Sequence, residues 1–225
     1  MMTPDLSIET QLSQRCGGTL IAGMDEVGRG ALAGPVAVGV AAVDVATCQP
    51  LDGLRDSKKL TALQRQRMTL AIPTWAATAV GLASAEEIDA FGITAALGLA
   101  GRRAWHQLVE ITDTPHGLVL DGNTQWLNDA PVSMVSSLAP IDVEIVLQTK
   151  ADATCSTVSA AAITAKVARD ALMVQLAEQY PAYGWDSNKG YGSAAHRLAL
   201  VDIGITEYHR KSWNLVPAEI QPRLL

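Results

Sequence analysis

Residues 20–43 read LIAGMDEVGRGALAGPVAVGVAAV, which is two apolar runs separated by a short stretch of acidic residues and glycines. The first run, LIAGMD, predicts a strand that ends at Asp25 and is followed directly by Glu26. The second run, residues 34–43, predicts a strand with Pro35 at its start, where proline is tolerated. The sequence therefore predicts two strands here, with carboxylates at the end of the first.

The other elements predict a fold of the α/β class. Further strands are predicted at residues 75–83, 117–121 and 142–148, and the run at 117–121 is continuously apolar and also ends in an acid. A capping-box pattern at Ser84 predicts a short helix. Further helices are predicted near residues 61–72, 93–109, 156–178 and 193–203, with a polar, glycine-containing loop at 184–192 and a short C-terminal helix near 217–224. Strands gather in the first two-thirds and helices dominate the end, which predicts a mixed α/β domain followed by a smaller helical portion.

Composition excludes several protein classes. The 225 residues are 48% hydrophobic, which excludes intrinsic disorder. Cys16, Cys48 and Cys155 form no CxxC motif, which argues against a disulfide scaffold or a structural zinc site and favours the cytoplasm. The N-terminus lacks signal-peptide features, and no uninterrupted apolar run reaches the length of a membrane span. The net charge of −6 is mild evidence against a nucleic-acid binder.

Acidic side chains recur at the ends of predicted strands. Asp25 and Glu26 follow one strand, Asp121 ends another, and Asp152 lies between a strand and the long helix. Strand ends on one edge of a sheet converge, so these carboxylates share a small volume if their strands are neighbours. Clustered carboxylates repel each other unless a cation neutralises them, and hard oxygen ligands suit Mg²⁺ or Mn²⁺. A pair of such ions stabilises an in-line phosphoryl displacement.

Each acid also has an ordinary structural interpretation. Asp121 precedes Gly122 and suits a turn, and Asp152 suits the N-cap of the following helix. Asp25 and Glu26 suit a solvated strand terminus, and as neighbours in a regular strand they would point to opposite faces. Spacing alone does not decide between these roles and a metal site.

The segment at residues 23–36, GMDEVGRGALAGPV, resembles the opening signature of the ribonuclease HII family, the bacterial type 2 ribonucleases H. Further motifs follow in the family's order. They are DSKKL at 56–60, LDGN at 120–123, KAD and the alanine-rich stretch at 150–170, KGYGS at 189–193 with His196, and HRKSW at 209–213. The ordered set spans about residues 20–214. Ala31, Ser193 and Trp213 depart from the family's common residues, but none of these changes removes a ligand or a donor.

The resemblance implies an RNase H-like fold with a central mixed sheet flanked by helices and a small C-terminal helical region. It implies an endoribonuclease that degrades the RNA strand of RNA–DNA hybrids and cleaves 5′ of single ribonucleotides embedded in duplex DNA, leaving 3′-OH and 5′-phosphate ends. It implies a monomer that binds no membrane and uses two Mg²⁺ or Mn²⁺ ions. The implied metal-binding catalytic carboxylates are Asp25, Glu26, Asp121 and Asp152.

The same resemblance implies a substrate-recognition role for Gly28, Arg29, Gly30 and Tyr191. Glycines let a backbone approach a ligand closely, exposed amides and carbonyls can bind a 2′-hydroxyl, and an arginine can hold phosphate. A tyrosine between two glycines can stack on a sugar or base. The structural alternatives are a tight glycine turn with a solvated arginine and a tyrosine with a buried ring.

Basic residues near these motifs are further candidates. Lys58 and Lys59 suit phosphate contacts or a solvated turn, and Lys166 suits a substrate contact or a surface pair with Asp170. These lysines, with Arg29, Lys189, Arg210 and Lys211, predict a local positive surface on an acidic protein, since the local field governs phosphate binding. Cys155 is interpreted as a helix-packing residue, and the pair His209-Arg210 as structural or phosphate-facing, with the structural role preferred.

The resemblance also divides the chain into a lead-in at residues 1–16, a catalytic domain at 17–180 and a helical region at 181–225 that carries Tyr191. Two other functions remain open. One is an RNase H-like nuclease that acts on DNA, and the other is a catalytically silent hybrid-binding protein. The glycine-arginine-glycine motif with Tyr191 argues against the first, and the intact set of acids argues against the second.

Overall fold

A five-stranded mixed sheet organises the fold in this computed structural model, which describes residues 3–128, 138 and 140–215. The strands are β1 (Leu20–Val27), β2 (Val36–Asp44), β3 (Ala77–Ala83), β4 (Gly117–Asp121) and β5 (Glu144–Gln148). Their order is β3-β2-β1-β4-β5. The β1–β2 and β2–β3 pairs are antiparallel, whereas β4 runs parallel to both β1 and β5. The sheet confirms the predicted α/β class.

Helices flank the sheet and lie before, between and after its strands in the chain. They are α1 (Ser7–Cys16), α2 (Ala62–Ala71), α3 (Ala85–Phe91), α4 (Ile93–Val109), α5 (Ser156–Gln179), α6 (Trp185–Asn188) and α7 (Ala194–Ile203). The capping box predicted at Ser84 is present: the Ser84 hydroxyl accepts from the Glu87 amide, and the Glu87 carboxylate accepts from the Ser84 amide. The predicted helix near residues 217–224 lies outside the described residues.

The one-turn helix α6 lies within the segment predicted as a loop at residues 184–192. Gly184 and Lys189 adopt positive φ angles of 64° and 53° at its two ends, so the chain turns sharply on either side of a single helical turn. The apolar Trp185 that begins this turn is fully buried. Burial of the Trp185 side chain therefore stabilises a helical turn that the polar sequence around it did not predict.

Alternating side chains of the strands pack on two faces. Leu118 and Leu120 of β4 join the core beneath α4, whereas Val119 joins the core beneath α5. The sheet meets α5 very closely: a Cβ on Gly23 would lie 2.3 Å from the Thr157 hydroxyl, and one on Gly39 would lie 2.2 Å from the Ala161 carbonyl oxygen. Only glycine permits this approach, which brings the N-terminal end of α5 against β1.

The N-terminal helix α1 is fastened to the same end of α5. Glu9 of α1 is fully buried, and its Oε1 accepts hydrogen bonds from the Thr157 amide at 2.9 Å and the Thr157 hydroxyl at 2.8 Å. A carboxylate at a helix N-terminus is favoured by the helix dipole. Burial nevertheless raises the pKa of Glu9. Helix α1 therefore supports the N-terminal end of the long helix α5.

A separate aromatic core holds the C-terminal helices against the end of α5. Tyr183 stacks on Trp185 with ring centroids 5.1 Å apart, and Met173 and Leu176 of α5 complete the cluster. Leu32 and Ala33, from the segment between β1 and β2, belong to this cluster too. The C-terminal helices are thereby joined to the segment that follows Asp25. Within the described ranges, no helix is both long and apolar enough to cross a bilayer.

Candidate active site

Three carboxylates converge where β1 and β4 lie side by side. Oxygen atoms of Asp25, Glu26 and Asp121 all lie within 4.8 Å of one another. The parallel pairing of these strands runs as far as Met24 opposite Leu120, so Asp25 and Asp121 are the next residues on neighbouring strands. Strand order and register thus place the acids together, and we call Asp25, Glu26 and Asp121 the carboxylate cluster.

The neighbours Asp25 and Glu26 both reach this cluster, although β1 does not end at Asp25 as predicted. The strand continues to Val27, paired with β2, while its pairing with β4 stops at Met24. From Asp25 onward β1 is therefore hydrogen-bonded on one side only. The Asp25 Oδ1 accepts the Glu26 amide at 2.8 Å. The open side of the strand leaves room for both carboxylates beyond the end of the β1–β4 pair.

The fourth predicted acid, Asp152, lies in the short 3₁₀ turn Ala151–Ala153 and is buried. Its turn is joined to the cluster because Asp121 Oδ1 accepts the Ala151 amide at 2.6 Å. Helix α5 begins at Ser156 with Cys155 as its N-cap, so Asp152 is not the cap that the ordinary interpretation required. The Asp152 carboxylate acts electrostatically on Asp25.

The cluster is costly to ionise without a cation. Burial raises the pKa of Asp25 well above its usual value, and the charges of Glu26, Asp121 and Asp152 raise it further. Burial also raises the pKa of Glu26, although the nearby Arg29 guanidinium opposes the shift. A bound cation would remove this repulsion and favour the ionised carboxylates.

The chemistry of the donors fits a hard divalent cation. Mg²⁺ and Mn²⁺ prefer carboxylate oxygens, and this cluster offers three such side chains within reach of one point. The nearby Cys155 is fully buried, and burial raises the pKa of its thiol to about 12. That thiol stays protonated at neutral pH and is a packing residue, not a nucleophile.

The candidate recognition segment at residues 28–30, here called the glycine loop, lies directly after β1. Gly28 has a φ of 85°, a conformation that favours glycine. The Arg29 side chain is 56% exposed, and its guanidinium lies 3.6 Å from the Glu26 carboxylate. The loop therefore presents an accessible cation at the border of the carboxylate cluster.

Tyr191 is brought to the glycine loop by contacts between distant parts of the chain. The residue is 38% exposed, and its ring lies over the Arg169 guanidinium, with 5.5 Å from Cζ to the ring centroid. The Gly190 carbonyl accepts the amides of Leu32 and Ala33, which belong to the segment that follows the glycine loop. We call residues 189–192 the tyrosine loop. The two sets of predicted recognition residues are therefore physically joined.

A chain of buried imidazoles supports the tyrosine loop. The Thr206 amide donates to His209 Nδ1 at 2.9 Å, so the His209 proton lies on Nε2. That Nε2 lies 3.1 Å from His196 Nε2, and His196 Nδ1 lies 2.9 Å from the Tyr191 carbonyl oxygen. The hydrogen bonds thus run in one direction, from Thr206 through both histidines to Tyr191. The structural role predicted for His209 is confirmed.

The predicted basic residues have different environments. Lys166 Nζ donates to Asp170 Oδ1 at 2.7 Å, as the surface-pair interpretation predicted, and Lys59 lies 3.8 Å from Asp56. Lys58 belongs to the 3₁₀ turn Ser57–Lys59. The assignment of Arg210 to a positive surface was wrong, because this residue is fully buried.

Sequence reasoning missed the contacts of two buried arginines, Arg169 and Arg210, with the glycine and tyrosine loops. A signal for Arg169 was present: it stands four residues after Ala165 and four before Met173, both fully buried, and so lies on the buried face of α5. No comparable local pattern marked Arg210.

Comparisons with known proteins agree with this geometry. The family model described as Ribonuclease HII matches residues 22–216. The ribonuclease HII of Paracoccus denitrificans is 42% identical over 215 residues, covering 95% of this chain and 93% of that protein. Its counterpart in Streptomyces avermitilis is 40% identical over 223 residues, covering 99% of this chain and 88% of that protein.

Comparison with a solved structure supports the same family assignment at the level of the fold. The ribonuclease HII in the PCNA complex from Archaeoglobus fulgidus superposes with a TM-score of 0.69 at 26% identity, covering 91% of this chain and 98% of that one. Sequence, fold and the convergence of acids agree along nearly the whole chain. The chain therefore belongs to the ribonuclease HII family of metal-dependent endoribonucleases.

Proposed function

We propose that this chain hydrolyses the RNA strand of RNA–DNA hybrids and cleaves 5′ of single ribonucleotides embedded in duplex DNA. The observation that carries the proposal is the carboxylate cluster, whose oxygens lie within 4.8 Å of one another directly before the glycine loop. Family membership supports the hybrid as substrate. The proximity of a candidate metal site to a loop with exposed recognition groups supports cleavage at a position chosen by the sugar.

Asp25, Glu26 and Asp121 would hold the metal ions, with Asp152 beside them. Two Mg²⁺ or Mn²⁺ ions would supply charge stabilisation at the scissile phosphate and activation of water. The protein itself holds these side chains in place. The register of β1 and β4 positions Asp25 beside Asp121, and the hydrogen bond from the Ala151 amide to Asp121 holds the turn that carries Asp152. Such pre-organisation reduces the reorganisation needed during reaction.

Recognition of the ribose would fall to the glycine loop. The amides of Arg29 and Gly30 have no hydrogen-bond acceptor among the described residues, so they are available to a ligand. A 2′-hydroxyl can accept from an amide, and it is the group that distinguishes RNA from DNA. The exposed Arg29 guanidinium would hold an adjacent phosphate.

Tyr191 would contact the sugar–phosphate backbone next to the glycine loop, since its ring is partly exposed and its loop is bonded to residues 32 and 33. The exposed Lys59 would contribute phosphate contacts, as would Lys58 and Lys166. The ion pair of Lys166 with Asp170 makes Lys166 the weaker contributor. These local cations allow an acidic protein to bind a polyanion.

One assay tests the proposal against its two competitors. A labelled duplex with one ribonucleotide and an all-DNA duplex of the same sequence are incubated with the protein and Mg²⁺ or Mn²⁺. Cleavage restricted to the ribonucleotide-bearing strand, 5′ of the ribonucleotide, is the expected result. Cleavage of both duplexes would identify a DNA nuclease, and binding without cleavage would identify a silent hybrid-binding protein.

A further inference from the structure

Two buried arginines lie behind the recognition loops without a carboxylate partner. Arg169 and Arg210 have no solvent exposure, and within the part of the chain that the structure describes neither forms an ion pair. Burial lowers the pKa of both guanidinium groups, for Arg210 to about 9. Burying two neighbouring cations is costly unless their donors are satisfied in another way.

The donors of Arg210 are satisfied by backbone carbonyls around the glycine loop. Its Nη2 donates to Gly28 O at 2.7 Å, and its Nη1 donates to Arg29 O at 2.8 Å. Nη2 and Nε also reach Gly34 O at 3.1 and 3.2 Å. One guanidinium therefore holds three carbonyls of the segment that carries the recognition amides.

Arg169 extends this arrangement to the tyrosine loop. Its Nη1 donates to Lys189 O at 2.9 Å, while Nε donates to Pro35 O at 2.8 Å. Its guanidinium also lies beneath the Tyr191 ring. It packs against the glycine loop so tightly that a Cβ on Gly28 would lie 2.1 Å from its Nε. Arg169 thus contacts both loops at once.

These contacts have two physical consequences for the loops. Carbonyls that point inward to a guanidinium leave the opposite face of the chain, with the amides of Arg29 and Gly30, free to face a ligand. A carbonyl bonded to a cation also polarises its peptide, which makes the attached N–H a stronger donor. The peptides joining residues 28–29 and 29–30 are the ones polarised by Arg210.

We infer that Arg169 and Arg210 are positioning residues for ribonucleotide recognition, acting through the glycine-loop amides and the Tyr191 ring. This inference rests on the proposed function. The planar guanidinium matters because its donors have a fixed fork geometry, whereas a lysine ammonium is a compact charge with three rotatable donors on a flexible stem. An Arg→Lys substitution retains the positive charge but removes the planar arrangement of the guanidinium N–H donors. It therefore separates positioning of the loops from electrostatic attraction of the substrate.

The test measures selectivity for the ribonucleotide, because a general loss of stability does not change selectivity. Binding is measured with Mg²⁺ in an Asp121→Asn background, which suppresses cleavage. The dissociation constants are compared for a duplex with one ribonucleotide and for its all-DNA counterpart. Selectivity is the dissociation constant for the all-DNA duplex divided by that for the ribonucleotide-bearing duplex. Arg210→Lys and Arg169→Lys are each expected to lower this ratio at least tenfold, with little change in the dissociation constant for the all-DNA duplex. Thermal melting is recorded for every variant.

Arg102→Lys is the matched control, since Arg102 is also buried and donates to a backbone carbonyl, that of Leu127, away from both loops. It is expected to retain the selectivity. If Arg210→Lys does not fold, Arg169→Lys decides the matter; failure of both to fold would assign the pair a purely structural role and overturn the inference. Unchanged selectivity in folded variants overturns the inference alone, whereas a parent protein without selectivity overturns both the proposed function and this inference.

Discussion

The carboxylate of Asp121 accepts the backbone amide of Ala151 at 2.6 Å. This hydrogen bond joins the end of β4 to the turn that carries Asp152, so residues thirty positions apart are held in one arrangement. The same carboxylate also belongs to the carboxylate cluster. It also gives Asp121 a role that a local turn residue would not have.

Replacement of Asp121 by asparagine should abolish most cleavage while the protein stays folded. The change removes a ligand charge and so weakens charge stabilisation and water activation together. We expect less than about a tenth of the wild-type rate, a barrier increase above roughly 1.4 kcal/mol. The rate on a ribonucleotide-bearing duplex and the thermal melting curve are the measurements. Asp44→Asn is the matched control, because Asp44 ends β2 opposite Leu20, at the far end of β1 from the carboxylate cluster. A folded Asp121→Asn variant with near-normal activity would contradict the assignment.

Replacement of Asp25 by asparagine should stabilise the metal-free protein at neutral pH. The folded-state pKa of Asp25 is raised, so its contribution to stability is present below pH 4 and is lost as the pH rises through that higher pKa. Each kcal/mol of repulsion removed should raise the melting temperature by about 2–4 °C.

The same variant should respond less to divalent cations. Mg²⁺ or Mn²⁺ binds the native state preferentially and should raise the wild-type melting temperature, with a smaller rise for Asp25→Asn. Melting is measured between pH 5 and 8, with and without the ion. The exposed Asp113→Asn provides a comparison. Identical behaviour of the Asp25 variant and the wild type would show that the acids do not share a cation.

The buried histidine chain should make the protein less stable in mild acid. The pKa of His209 is lowered from 6.5 to about 4, chiefly by burial and then by the neighbouring His196. The unfolded chain therefore binds more protons between pH 6.5 and 4, and the contribution of His209, complete above pH 6.5, falls as the pH decreases through this window.

His209→Gln should reduce this pH dependence, by at most about 1.4 kcal/mol per pH unit for the single proton. The free energy of unfolding is measured by denaturant titration at several pH values. His116→Gln alters an exposed histidine and should leave the slope near that of the wild type. Equal slopes for all three proteins would mean that His209 does not titrate in this window.

Replacement of Tyr191 by alanine should weaken cleavage at a single embedded ribonucleotide by about 5- to 150-fold, the effect of losing 1–3 kcal/mol of stacking. Cleavage of a long hybrid should fall less, because that substrate offers many registers. Stabilisation by metal should persist, since the carboxylate cluster is intact.

Both substrates are compared at one salt concentration, because phosphate contacts make binding salt-dependent. Tyr191→Phe retains the ring over Arg169 and should keep most of the activity. Equal losses of cleavage on the two substrates for Tyr191→Ala would show that the ring supports general binding or the fold and does not recognise the embedded ribonucleotide.

Local patterns in the sequence were sufficient for the main elements and for the candidate acids. Apolar runs identified all five described strands to within a few residues, and the Ser84 capping box marked the start of α3. These features are local because side-chain periodicity and helix caps depend on residues only a few positions apart. The ordered motifs also identified the family before any geometry was known.

The tertiary structure alone decided how those residues meet. The β1–β4 register brings Asp25 beside Asp121. Gly23 and Gly39 have no side chains, so α5 approaches the sheet closely and the turn before it places Asp152 near these two acids. Arg210 was expected on the surface, but it is buried and its guanidinium donates a hydrogen bond to the Gly28 carbonyl of the glycine loop. Such contacts join residues up to 182 positions apart, and they depend on strand order, register and packing, which no local periodicity encodes.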